Sequence, residues 1–229
     1  MPRRLPPEQR ATLALAEAML GGVVLVAFTR RLEGLVLLGL LAFVRWLAAN
    51  RAAWRAPRRF GFANSVTALR IALVVWVAWL SPGPLIPWGG WLVLVIFGLD
   101  ALDGWWARRT GTATKFGAAF DQEADAFMVA VVTGALVQAD LAPGWVLIVG
   151  GLRYGYVLVV SGLQLHGEVP RNALARNAFG ILVCTFIGVM VWPCWLTAGA
   201  VQLASLLIIG SFAHSLWWSW RGPVGERRE

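Results

Sequence analysis

A chain of 229 residues could form one sizeable domain, but 59% of it is apolar and only 14% is charged. A water-facing surface needs about a quarter of its residues charged, so composition excludes an ordinary soluble domain and predicts an all-α polytopic membrane protein. The net charge of +8 comes without a basic stripe interleaved with aromatics, which argues against nucleic acid as a partner and for anionic membrane lipids.

The first ten residues, MPRRLPPEQR, are basic and proline-rich, with no small-residue cleavage site after them, and read as a short cytoplasmic tail. Two apolar stretches follow at about 11–28 and 34–49, separated by Arg30, Arg31 and Glu33. Paired as a hairpin they would place both arginines outside, against the positive-inside bias, whereas an interfacial segment would suit Arg45 and Arg51. Residues 1–55 are therefore expected to be an accessory N-terminal region, an apolar hairpin or an interfacial segment, with the hairpin preferred.

Six apolar runs of membrane-spanning length come next, at about 63–81, 86–108, 117–139, 143–163, 172–192 and 197–219. They predict a six-span domain over 56–221, with a short charged tail at 222–229. Basic residues mark alternate connections: Arg51, Arg55, Arg58 and Arg59, then Arg108, Arg109 and Lys115, then Arg171 and Arg176, then Arg221, Arg227 and Arg228. The turns near 81–87, 140–143 and 193–197 carry no Lys or Arg, so the basic set is expected to face the cytoplasm. Most of the 14 tryptophans stand near the ends of the runs, as an interfacial belt requires. Cys184 and Cys194 show no metal spacing and read as small core residues without a mutual disulfide.

Four of the five aspartates fall between residues 100 and 125, in segments otherwise able to span a membrane. An ionised carboxylate is costly in lipid and usually faces a cavity or a cation. Asp100 and Asp103 stand i,i+3 near the end of one predicted helix, and Asp121 and Asp125 stand i,i+4 near the start of the next. The short turn RRTGTATKFG brings the two pairs together. Hard oxygen ligands without His or Cys favour Mg2+ or Mn2+, and four carboxylates suffice for two ions, an arrangement suited to phosphoryl transfer. Gly104, Ala107 and Gly117 remove bulk beside the acids and leave room for a ligand.

The spacing Asp100-x2-Asp103-Gly104-x2-Ala107-Arg108-x8-Gly117-x3-Asp121-x3-Asp125 closely resembles the signature of the CDP-alcohol phosphatidyltransferases. Upstream, NSVTALR places Asn64, Thr67 and Arg70 where that family has an N-x2-T-x2-R feature. The resemblance covers roughly 60–220 and leaves 1–55 unexplained; Gln122 and Glu123 are unusual fillers between the last two aspartates. It implies a six-helix core that transfers a phosphatidyl group from a CDP-linked lipid such as CDP-diacylglycerol to an alcohol acceptor, releasing CMP. By the same resemblance Asp100, Asp103, Asp121 and Asp125 bind the metal ions and Asp125 is also the general base. Arg108 braces the acids or touches the diphosphate, while Gly104, Ala107 and Gly117 admit the nucleotide; Asn64 and Thr67 either join that nucleotide pocket or serve only in the helix start and in hydrogen bonds between helices. It further implies an integral protein of the bacterial inner membrane, active near the cytoplasmic face, and allows a homodimer.

Arg153 lies inside the fourth core run, where an unpaired charge is expensive. With Arg171 and Arg176 it is a candidate site for an anionic acceptor or lipid headgroup, although topology explains the last two equally well. Glycerol 3-phosphate, inositol phosphate, inositol, serine, choline and another phospholipid stay open as acceptors, the phosphorylated ones slightly favoured. The main rival is an ion-coupled transporter that uses the same intramembrane aspartates; it predicts no turnover of a CDP-lipid and needs no clearance at Gly104 and Gly117. A metal-binding scaffold is the third class, and it predicts that replacing Asp125 changes stability alone.

Overall fold

The computed structural model describes residues 6–52, 60–81, 88–110, 114–165 and 173–221, without the side chains of Asp103, Ala107, Arg108, 173–175 and Arg221. Eight α-helices lie wholly within the described residues. The first two are α1 (Pro7–Thr29) and α2 (Glu33–Ala49). Then come α3 (Phe62–Leu80), α4 (Trp88–Thr110), α5 (Lys115–Gln138) and α6 (Leu147–Gly162), the last entered through a 3-10 turn at Gly144–Val146. The chain continues in α7 (Ala173–Val191) and α8 (Trp195–Arg221).

Local chemistry sets several helix ends. Pro7 opens α1, where its missing N–H costs nothing. The Thr114 hydroxyl caps α5 by accepting from the Gly117 N–H at 2.9 Å. Arg30 ends α1 in the left-handed region, at φ 56°, and its N–H returns to the Val26 carbonyl. The helices α3 to α8 fall on the six predicted apolar runs, their ends displaced by a few residues.

Pro7–Thr29, Phe62–Leu80, Gly144–Gly162 and Trp195–Trp220 are long and apolar enough to cross a membrane. The outer surface agrees: Leu41, Leu102 and Leu203 are largely exposed, as are Trp79, Trp88, Trp192, Trp195 and Trp220 near helix ends. In water such a surface would aggregate, and in lipid it is the expected exterior. The protein is an all-α integral membrane protein.

Helix α5 lies at the centre, buried almost continuously from Glu123 to Val137. It packs on α3 and α6, while α4 joins α3 to α7 and α7 packs on α8. The two N-terminal helices pack along each other, and α1 also lies against α6. Side chains of α2 reach α5: Trp46 stacks on Phe116 and Phe120, and Phe43 meets Phe127 edge-on. Gly39 permits this approach, because a Cβ there would lie 2.6 Å from the Phe127 ring. Apolar transfer drives little between helices already in lipid, so this close fit of small and aromatic groups supplies the association.

At the far end of α5, Arg30 donates to the Val137 carbonyl at 2.8 Å and pairs with Asp140 at 3.3 Å. The arginine that the positive-inside bias disfavours thus has an acid and a helix C-terminus beside it. The cysteines correct an expectation. Both are free, but Cys184 is exposed and Cys194 half-buried. Leu182, Val183, Phe186, Val189 and Met190 occupy the buried stripe of α7, and position 184 falls on the opposite face.

Candidate functional site

The side chain of Arg70 on α3 is only 2% exposed and is surrounded by carboxylates. Its Nη1 lies 2.7 Å from Asp100 Oδ1 and 2.6 Å from Asp121 Oδ1, and its Nη2 donates to Asp125 Oδ1. Asp100 comes from α4, and Asp121 and Asp125 share one face of α5. Three helices therefore meet at one guanidinium.

The same geometry suits a metal ion. One carboxylate oxygen from each of Asp100, Asp121 and Asp125 lies within 4.8 Å of the other two. A divalent cation holds hard oxygen ligands at about 2.0–2.6 Å, so opposite ligands sit at roughly this spacing. Three carboxylates against one guanidinium leave the described group negative. Asp100, Asp121 and Asp125 keep 27%, 39% and 25% of their side-chain surface open, so a ligand can reach them. The cluster can coordinate a divalent cation. Asp103 is on α4 three residues beyond Asp100, but its side chain lies outside the described residues, as do those of Ala107 and Arg108.

Asn64 and Thr67 precede Arg70 on α3 at i,i+3 spacing. The Thr67 hydroxyl is buried and donates to the Ala63 carbonyl at 3.2 Å, and the Asn64 amide donates to the Phe60 carbonyl. Asn64 also faces Gly117: a Cβ on that glycine would lie 3.1 Å from Asn64 Oδ1 and 3.1 Å from Thr114 Oγ1. Two of the expected nucleotide-side residues are thereby neighbours. Gly104 is half-buried on α4.

A second feature adjoins the aspartates. A cavity of about 180 Å³ between α5, α6, α7 and α8 is lined by both Asp125 and Arg153. Arg153 Nη2 donates to Glu123 Oε1 at 2.6 Å, and Glu123 is only 4% exposed. Gly150, one turn earlier on α6, brings the helices this close, since a Cβ there would lie 2.9 Å from Ala130 Cα and 2.6 Å from Thr133 Oγ1. Tyr154 is also buried, and its hydroxyl makes no hydrogen bond among the described residues. Arg176 is exposed on α7 and does not line this cavity, and Arg171 lies outside the described residues.

Sequence reading assigned no role to Arg70 or to Glu123. The cost of a charge in lipid, the argument that singled out Arg153, applies equally to Arg70 inside the run 63–81. Glu123 carried a weaker signal, an acid two residues from each of two others and therefore on another flank of the helix.

An all-α membrane protein whose helices converge carboxylates on a cation-sized space is the class that fold and site define. Residues 60–217 match the profile of the CDP-alcohol phosphatidyltransferases, and the chain belongs to that family. A curated relative, the CDP-diacylglycerol--glycerol-3-phosphate 3-phosphatidyltransferase of Bacillus subtilis (strain 168), is 32% identical over 108 residues. That alignment covers 39% of this chain and 54% of the relative, so the chain spans about half the length of the relative it matches. No solved structure matches the chain. Helices α1 and α2 precede the matched stretch.

Proposed function

We propose that this protein transfers a phosphatidyl (substituted phosphoryl) group from a CDP-linked lipid such as CDP-diacylglycerol to an alcohol, with release of CMP. The observation that carries this reading is the meeting of Asp100, Asp121 and Asp125 around Arg70, within the stretch that matches the family. Asp100, Asp103, Asp121 and Asp125 hold Mg2+ or Mn2+, two ions in all. Bound cations supply charge neutralisation to the diphosphate and to the departing CMP.

The chain's own residues do the rest. Asp125 accepts the proton of the acceptor hydroxyl, whose oxygen bonds to the lipid-side phosphorus. The bond from that phosphorus to the bridging oxygen breaks, and CMP leaves with that oxygen and the electron pair. Arg70 keeps the carboxylates convergent. Asn64, Thr67, Gly104, Ala107, Arg108 and Gly117 receive the nucleotide and diphosphate, a role supported by the closeness of Asn64 and Gly117. Arg153, with Arg171 and Arg176, attracts the acceptor, and the cavity shared by Arg153 and Asp125 supports the first of these.

The relative's name specifies glycerol 3-phosphate, and an arginine lining the same cavity as Asp125 suits a phosphorylated alcohol, so that compound is the first acceptor to try. Residues 56–221 form the six-span catalytic unit, residues 1–55 are accessory, and the site opens to the cytoplasmic face of a bacterial cell membrane. Alternation of basic and uncharged connections supports this orientation. The test is to supply the purified protein, in detergent or lipid, with labelled CDP-diacylglycerol, Mg2+ and pooled alcohols. CMP and a new lipid are expected. No CMP from any pool, with CDP-diacylglycerol demonstrably bound, overturns the reading.

A further inference from the structure

Glu123 is a buried acid that the transfer reaction does not use. It stands between Asp121 and Asp125 in sequence, yet two residues from either is roughly half a turn of helix, so it points to another flank of α5. There it accepts from Arg153 at 2.6 Å, and the resulting pair is closed on the Glu123 side, with Glu123 4% and Arg153 22% exposed. The close approach of α6 at Gly150 sets this pairing one turn further along. Arg153 then forms part of the wall of the cavity that also contains Asp125.

Glu123 occupies one nitrogen of the guanidinium, and the enclosed Nε–H makes no hydrogen bond among the described residues. Arg153 therefore retains donors after the pair has formed. A guanidinium without a fixed partner can turn among rotamers and presents its donors in no one direction. One whose charge is already matched instead offers donors of fixed direction, and selection becomes a question of geometry.

We propose that Glu123 is a positioning and specificity-determining residue, which fixes Arg153 in the cavity wall so that its remaining donors receive the anionic group of a phosphorylated acceptor. This inference rests on the transfer reading of the Asp125 site. It assigns Glu123 no contact with the reacting atoms. Its effect passes through Arg153 and falls on the acceptor alone.

The experiment compares the unmodified protein with Glu123→Gln, Arg153→Gln and the double variant, measuring direct binding of glycerol 3-phosphate, glycerol and CDP-diacylglycerol, and KM and kcat where CMP is released. One charge-assisted hydrogen bond corresponds to roughly tenfold in affinity, and Glu123→Gln should weaken glycerol 3-phosphate by about that factor. Binding of glycerol and of CDP-diacylglycerol should not change, and kcat should move less than the acceptor KM. In the Arg153→Gln background the second substitution should add nothing, because coupled residues are not additive.

An undiminished affinity in Glu123→Gln overturns the proposal, as does an equal loss for all three ligands or an equal loss in both backgrounds. If Glu123→Gln does not fold, Glu123→Asp keeps the charge but shortens the reach, and it should show a smaller loss confined to glycerol 3-phosphate; no loss there overturns the proposal too. Failure of the unmodified protein to bind glycerol 3-phosphate while releasing CMP with another alcohol sinks this inference and leaves the transfer reading standing. Absence of CMP with every alcohol sinks the transfer reading, while the binding comparison still decides Glu123.

Discussion

Two groupings of carboxylate and guanidinium share α5, and they are balanced in opposite ways. Arg70 faces three aspartates that remain partly open, whereas Arg153 faces one glutamate that is closed off. Desolvated charge must be matched or it destabilises the fold by several kcal/mol. The Glu123–Arg153 pair is closed on the acid's side and matched, whereas among the described residues the aspartate group sets three partly open carboxylates against one guanidinium. An excess of carboxylate persists only where solvent or a cation can reach it. All of these residues are intramembrane charges by sequence; balance and exposure together separate the group suited to a cation from the pair suited to holding a position.

The largest effect expected from breaking this arrangement is at Asp125. Replacing Asp125 by Asn keeps the shape but removes the proton acceptor and one anionic ligand, so CMP release should fall by about 10²–10⁴. Chelating divalent cations with EDTA should abolish release in the unmodified protein, and added Mg2+ should restore it. Full turnover by the Asn variant would remove Asp125 from the role of base. Retained ion binding with no CMP-forming activity in any protein would favour the transporter instead.

Next in size is Arg70→Met, which leaves three acids without their buried cation. Removing one partner of a buried ionic group costs about 3–5 kcal/mol, read as a lowered unfolding midpoint in detergent. Because the missing charge is positive, Mg2+ should recover more stability in this variant than in the unmodified protein. Equal recovery in both would mean that the aspartates do not share a cation site.

The smaller third effect separates the two groupings. Gly150→Ala puts a methyl against Ala130 and Thr133, and overpacking of this kind costs about 1–3 kcal/mol. Because α6 carries Arg153 but none of the aspartates, binding of glycerol 3-phosphate should weaken more than the response to Mg2+. Equal losses in the two assays would show that the pair and the cluster are one mechanical unit.

How far the sequence foretold this follows from the range of each interaction. The aspartates were legible because i,i+4 spacing and a short turn act locally, and Asp100, Asp121 and Asp125 do meet. The helix positions were legible because Gly, Pro or Arg bound the apolar runs. Arg70 was visible as the last residue of the N-x2-T-x2-R feature, but its place at the centre of the acids was not read, although its isolation inside an apolar run was signal enough. The partner of Glu123 depends on how closely α6 approaches at Gly150, a contact between distant parts of the chain. The docking of α2 on α5 was hidden for another reason: in lipid both faces of a helix are apolar, so no stripe marks which one packs. Cys184 was misread on the same account, since a small apolar residue fits the lipid side of α7 as well as the core.

The smallest expected effect is at Arg30 and Asp140, a third pair that is matched like Glu123–Arg153 but open to solvent. Their side chains are 55% and 89% exposed, and such pairs contribute about 0–1 kcal/mol. Asp140→Ala should therefore barely move the unfolding midpoint, because Arg30 retains its hydrogen bond to the Val137 carbonyl. Arg30→Ala loses both contacts and should cost slightly more. It also removes a positive charge from the end of the bundle opposite Lys115, which should strengthen the charge asymmetry that orients the protein in a membrane. If Asp140→Ala instead cost as much stability as Arg70→Met, matching and exposure would not be the variables that distinguish these groupings, and the contrast drawn between the two sides of α5 would fail with it.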